Sequence, residues 1–181
     1  PEPGHYWSSS MGVFDQAIIL FQNAGGVGID EIAFDGGMGT LGTAYCMANP
    51  NSTGATGSLA AMGSPLVIDN DVTLVASDLP LFSFGYFIVS PTQGFVPNPA
   101  GSSGNLCLAG AVGRYVGAGQ IKNTGNTGSF DLLINLAAIP TPNGFVGTNA
   151  GDTWNFQTWH RDAGMSGTTS NFTRGLSITF Q

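Results

Sequence analysis

The sequence predicts an all-β protein: an antiparallel β-sandwich of the jelly-roll or immunoglobulin-like kind, preceded by an N-terminal β-hairpin extension. Three observations predict it. Gly, Pro, Asn or a β-branched residue interrupts nearly every window that could hold a 3.6-residue period. Short segments alternate apolar and polar residues at the strand period of two. Between them lie clusters with turn chemistry, such as Asn98-Pro99-Ala100-Gly101 and Pro140-Thr141-Pro142-Asn143-Gly144.

Taken in order, residues 15–22 and 27–34 read as two apolar strands joined by the hairpin turn Asn23-Ala24-Gly25-Gly26. Gly36-Gly37-Met38-Gly39-Thr40 then reads as a linker, which separates an extension over 1–40 from a main module over 41–181. A lone hairpin is marginal in water, so this pair must pack on the main module or on another chain. Its apolar residues Ile18, Ile19, Leu20, Phe21, Ile29, Ile32 and Phe34 are candidates for completing a neighbour's sheet by main-chain hydrogen bonding. In the main module, strands are expected at 72–76, 84–90, 106–108, 119–122, 129–136 and 145–147. The segment 152–161 alternates as well: Trp154 and Phe156 share one face, Asn155, Gln157, Trp159 and Arg161 the other. The last strand, 176–181, puts Leu176, Ile178 and Phe180 on the core face.

Composition narrows the function classes. Four Lys or Arg against eleven Asp or Glu give a net charge of −7 over 181 residues. That is too few cations to track phosphates, so nucleic acid is not an expected partner. No apolar run approaches the roughly 20 residues of a spanning helix, so membrane insertion is not expected either. The opening Pro1-Glu2-Pro3-Gly4-His5 has no signal-peptide pattern, which fits a mature or truncated end. Cys46 and Cys107 have two readings, a disulfide in an oxidising compartment or two buried thiols. The low-charge, Asn/Thr/Gly-rich composition favours the disulfide, which by closing a loop of about 60 residues would stabilise the fold by about 4 kcal/mol.

Chemistry-bearing motifs are scarce. His5 and His160 lie far apart, and there is no His-Glu-x-x-His run, nucleophile elbow or phosphate loop. Asp30, Glu31, Asp35, Asp69 and Asp71 are the only locally clustered acids available to a carboxylate pair. The expectation is therefore no enzyme and no cofactor, with calcium the one candidate ion. Asp69-Asn70-Asp71 offers the hard oxygens a calcium site needs, although an Asx turn before the next strand accounts for the same residues. Trp159 is the leading recognition residue. Strand alternation points it outward beside Asn155, Gln157 and Arg161, where an aromatic plane flanked by amides and a guanidinium suits a sugar. The competing reading is that a loop covers it or that Arg161 stacks on it. Asn51-Ser52-Thr53 and Asn171-Phe172-Thr173 fit the N-glycosylation pattern.

Between Tyr45 and Phe180 several phrases occur in order: Tyr45-Cys46 with Asn49-Pro50-Asn51-Ser52-Thr53-Gly54, Asn70-Asp71-Val72-Thr73-Leu74, Phe84-Gly85-Tyr86-Phe87, Gln93-Gly94-Phe95-Val96-Pro97, Gly104-Asn105-Leu106-Cys107-Leu108, Gly113-Arg114-Tyr115 and Trp154-Asn155-Phe156-Gln157. They resemble a Cys-containing module at the C-terminal ends of secreted and surface proteins of planctomycetes and myxobacteria. The resemblance implies an extracellular accessory module and supplies no catalytic residues. Residues 15–35, with Ile29-Asp30-Glu31-Ile32, resemble the closing strands of a jelly-roll domain of the carbohydrate-binding or laminin-G-like kind. Two functions follow as expectations. One is a secreted or cell-surface structural or adhesive module that self-assembles, or binds other surface proteins, through its leading strands. The other is a carbohydrate-binding accessory module with glycans as partners.

Overall fold

The computed structural model describes residues 16–19, 32–35, 40–164 and 167–181. The chain divides into two compact units, Pro1–Gly39 and Thr40–Gln181. In the first, β1 (Gln16–Ile19) and β2 (Ile32–Asp35) pair antiparallel, with Gln16 opposite Asp35 and Ile19 opposite Ile32. Ile18, Ile19, Ile32 and Phe34 thus lie within the pair. Leu20, Phe21, Ile29 and the expected turn Asn23–Gly26 lie outside the described residues.

The regular structure of the second unit is almost wholly strand: β3 (Thr43–Tyr45), β4 (Ser58–Gly63), β5 (Val72–Ser77), β6 (Phe84–Ser90), β7 (Thr92–Pro97), β8 (Asn105–Ala109), β9 (Gly113–Arg114), β10 (Lys122–Asn123), β11 (Phe130–Ile134), β12 (Ile139–Thr141), β13 (Gly144–Val146), β14 (Thr153–Gly164), β15 (Gly167–Phe172) and β16 (Gly175–Thr179). The larger sheet runs β10-β6-β14-β16-β3, and the smaller β11-β5-β4. All pairings are antiparallel, so the predicted all-β antiparallel class is what the chain adopts.

Alternation explains the core. Leu59 and Ala61 of β4, Val72, Leu74 and Ala76 of β5, and Phe130 and Ile134 of β11 face Phe87 and Val89 of β6, Trp154 and Phe156 of β14, and Leu176 and Ile178 of β16. Each Val, Leu, Ile or Phe among them, when fully buried, contributes roughly 1.5–3 kcal/mol of apolar transfer. Phe87 and Phe130 meet edge to face across the two sheets, with centroids 5.3 Å apart. Gly85 makes room for that contact, since a Cβ there would come within 2.9 Å of the Phe130 ring.

β14 is twelve residues long and changes partner along one edge. Residues 153–156 pair with β16 and 159–164 with β15. At the junction Thr173 donates its N–H to the Thr158 carbonyl, while the Thr158 N–H donates to Thr173 Oγ1. Where strand signals were weak, the sequence reading differs from the structure. β4 is Ser-Leu-Ala-Ala-Met-Gly, with no β-branched residue, and β15 is Gly-Thr-Thr-Ser-Asn-Phe, with one large apolar side chain. Both are strands because β5 and β14 offer edges to pair with, not because of propensity. Conversely, the strand expected over 119–122 is mostly a turn, closed by Gln120 N–H donating to the Gly117 carbonyl.

Candidate functional site

The face of the larger sheet that turns away from the core is half covered and half open. The hairpin β7–β8 covers the half next to Ser90, Asn155 and Gln157, and polar side chains fasten it there. Gln157 Oε1 accepts the Cys107 N–H at 2.9 Å, and its Nε2 donates to the carbonyls of Asn105 and Thr173. Asn155 Oδ1 accepts from Gln93 Nε2, its Nδ2 donates to the Ser90 carbonyl, and Ser90 Oγ donates to the Ala109 carbonyl. A disulfide from Cys46 to Cys107 ties the same hairpin to the end of β3, with the Cα atoms 6.3 Å apart. Tyr45 Oη donates to the Cys107 carbonyl, and burial pushes that phenol up to about 12.

This corrects one expectation. Asn155 and Gln157 do share a face with Trp159 and Arg161, but they are 2% and 0% exposed and their amides are occupied by the protein. They anchor the hairpin and are not available to a ligand.

The other half of the same face stays open. Trp159 stacks on Tyr86, its cross-strand partner, with ring centroids 5.0 Å apart and planes 29° from parallel. Ile88 and Phe172 extend this floor, and Leu106 and Val112 from the β8 side pack against it. Together they border a cavity of about 480 Å³, with Arg114 at one margin.

The opposite wall is the turn Pro99–Gly101. Asn98 and Ala100 both have left-handed backbones, with φ of 48° and 51°, a conformation costing a non-glycine residue such as Ala about 1–2 kcal/mol. Hydrogen bonds hold it there: Asn98 Nδ2 to the Ser102 carbonyl, Ser102 Oγ and Ser103 N–H to the Ser170 carbonyl, and Thr169 Oγ1 to the Gly101 carbonyl. The wall is therefore fixed to β15. Trp159 is half-buried and Arg161 exposed two residues further along β14. A concave, mainly apolar site with an aromatic floor and a few polar groups at its rim is the usual architecture of a ligand pocket.

Behind the open half, on the inward face, a polar seam replaces the apolar core. Thr158, His160, Asp162, Asn171 and Thr173 are all buried. His160 Nδ1–H donates to the Arg161 carbonyl at 3.1 Å, which fixes the neutral tautomer with an unprotonated Nε2. Burial lowers the His160 pKa, with that hydrogen bond and the Asp162 charge opposing the shift. Burial alone would raise Asp162. Hydrogen bonds from Ser52, Ala163 and Asn171 outweigh it and hold the carboxyl below its ordinary value. Asn171 Nδ2 also reaches the Pro50 carbonyl, and Asn51 Nδ2 the Asp78 carbonyl at 2.7 Å. Both sequon asparagines are thus buried and hydrogen-bonded, and neither is presented as a glycan acceptor. Little in the sequence signals this seam, because Thr158, His160, Asp162, Asn171 and Thr173 stand among other polar residues such as Arg161, Thr169 and Ser170.

Asp69, Asn70 and Asp71 lie around a 3-10 turn, Val67–Asp69. Asn70 adopts a left-handed backbone and its Oδ1 accepts the Leu136 N–H at 2.6 Å, while Asp69 accepts from Ser64 Oγ. Turn chemistry thus engages Asn70 Oδ1 and one Asp69 oxygen, and among the described residues no three His, Cys, Asp or Glu side chains converge as a metal site. Among the described residues no helix is long and apolar enough to cross a membrane. Comparison with models of protein families, with curated proteins and with solved structures gives no match.

Proposed function

We propose that residues 40–181 form a non-catalytic, secreted carbohydrate-binding module that contacts its ligand through the Tyr86–Trp159 groove. The observation that carries this reading is the half-open aromatic stack, held between two walls that are each fastened to the sheet by hydrogen bonds. Pyranose rings present apolar C–H faces that pack on such planes, and a rigid site loses little conformational entropy on binding. The disulfide supports an oxidising destination. Binding of the purified protein to a panel of polysaccharides, by affinity electrophoresis and calorimetry, tests the reading. Trp159→Ala and Tyr86→Ala should abolish binding while leaving the melting profile cooperative. Unchanged binding in both variants would overturn it.

A second reading, surface assembly through the leading strands, is favoured by one observation: β1 and β2 pair with each other within a separate unit. Sedimentation of the full chain beside a chain lacking residues 1–39 tests it. Assembly that is lost with that segment supports it, and identical sedimentation excludes it.

A further inference from the structure

We infer that the glycan taken by the groove is acidic and polymeric, a chain of uronate- or sulfate-bearing sugars, with Arg114 and Arg161 as its charge contacts. The inference rests on the carbohydrate reading above. The chain has only four Lys or Arg against eleven Asp or Glu, yet two of those four cations lie on the outward face of β6, β9 and β14. Arg114 is opposite Ile88 across β9–β6, on the same face as Tyr86 and Trp159, and borders the cavity. Arg161 lies two residues beyond Trp159 on that face, opposite Ser170 of β15, and is exposed.

Among the described residues of the second unit, acids are missing from this face. β6, β14 and β15 together contain a single acidic residue, Asp162, and its parity turns it inward to the buried seam. A protein of net charge −7 thus presents a locally positive strip along its aromatic groove. Nothing in the core requires that segregation, because exposed cations distributed among eleven acids would pair more readily elsewhere. Arg174, by contrast, serves the fold, donating Nε–H to the Leu59 carbonyl.

Sheet geometry gives the spacing. Arg161 and Arg114 lie on opposite sides of the stack, each about two residues along the strand from it and two strands apart from each other. At about 3.4 Å per residue and 4.8 Å per strand their Cα atoms are roughly 17 Å apart. That span exceeds one monosaccharide, so a repeating acidic polymer engages both guanidiniums where a single sugar cannot. Arginine suits carboxylate and sulfate through paired N–H donors. A single-stranded nucleic acid would also offer rings and charges, but two cations supply too little counterion release to hold one against the remaining negative charge.

The full chain is tested against alginate, polygalacturonate and heparin, against the uncharged polymers dextran, soluble starch and fully methyl-esterified polygalacturonate, and against a dT20 oligonucleotide. The expected result is preference for at least one acidic polymer, weakened about tenfold by Arg114→Gln with Arg161→Gln, and restored in part by the double Lys variant. Raising salt from low to moderate should weaken it too, although the small number of charged residues argues that binding elsewhere on this chain is barely screened. Neutral polymers bound as tightly, with the double Gln variant unaffected, would sink the acidic inference and leave the carbohydrate reading standing. No polymer bound, or dT20 bound more tightly than every glycan, would sink both.

Discussion

The two halves of the outward face of β14 obey the same alternation and have opposite fates. Asn155 and Gln157 are covered by β7–β8 and bind it through both amides: Gln157 donates to the Asn105 carbonyl and accepts the Cys107 N–H, and Asn155 accepts from Gln93. Trp159 and Arg161, two and four residues further along, remain at an open groove. What separates them is the length of the covering hairpin and the single crosslink that fixes where it lies. A buried amide and a groove-facing aromatic can therefore sit on consecutive outward positions of one strand, and strand parity alone does not distinguish them.

Two perturbations of the covered half test whether it is held as described. The larger is removal of the disulfide. Cys46→Ser with Cys107→Ser releases a crosslink spanning 61 residues, and chain entropy sets the expected loss at about 4 kcal/mol in denaturant unfolding. Because Leu106 of the same hairpin packs against the groove floor, ligand binding should fall with it; full binding in the double variant would show that the hairpin keeps its place without the bond. Next in size is Gln157→Leu, which strands the Cys107 N–H and the carbonyls of Asn105 and Thr173. An expected loss of about 3 kcal/mol follows from leaving buried groups unpaired. A loss under about 1 kcal/mol would mean that the hairpin readjusts and the amide is no anchor.

The contrast also explains what the sequence revealed. The strand class, the inward face of β14 and the last core strand were legible because Trp154, Phe156, Leu176 and Ile178 follow a period of two that burial enforces. The outward face was legible in direction but not in cover. Nothing in Asn155-Phe156-Gln157 signals that a hairpin 60 residues upstream in the chain descends on it, since the information lies in a long-range pairing and a disulfide. Tyr86 escaped notice for the same reason. It becomes a site residue only through its register opposite Trp159. β15 was missed because its strand character is conferred by the free edge of β14.

The open half should nonetheless be firm from behind, and pH offers a way to sharpen that claim. His160 is buried in its neutral form with its pKa lowered, so the unfolded chain binds more protons than the folded one below the ordinary histidine value of about 6.5. Its contribution is complete at neutral pH and is lost as pH falls from there towards the lowered folded value. Asp162, whose folded pKa is also depressed, has the same sign at more acid pH: its contribution is lost as pH falls through the carboxylate range. Unfolding free energy measured from pH 7.5 to pH 5 should therefore decline, and His160→Gln should flatten that decline. An equal slope in the variant would show that the histidine is hydrated and that the seam is not closed.

The smallest stability effect belongs to the residue with the largest expected effect on binding. Trp159 is half-buried and its principal neighbour is Tyr86, so Trp159→Ala should cost about 1 kcal/mol, the loss of a partly exposed aromatic pair. A fully enclosed core tryptophan would cost about 3–5 kcal/mol. Retained stability with abolished ligand binding is the signature of a side chain kept for what it touches outside the protein. A loss of core size would instead place Trp159 with Asn155 and Gln157, as part of the cover, and erase the difference between the two halves of the strand.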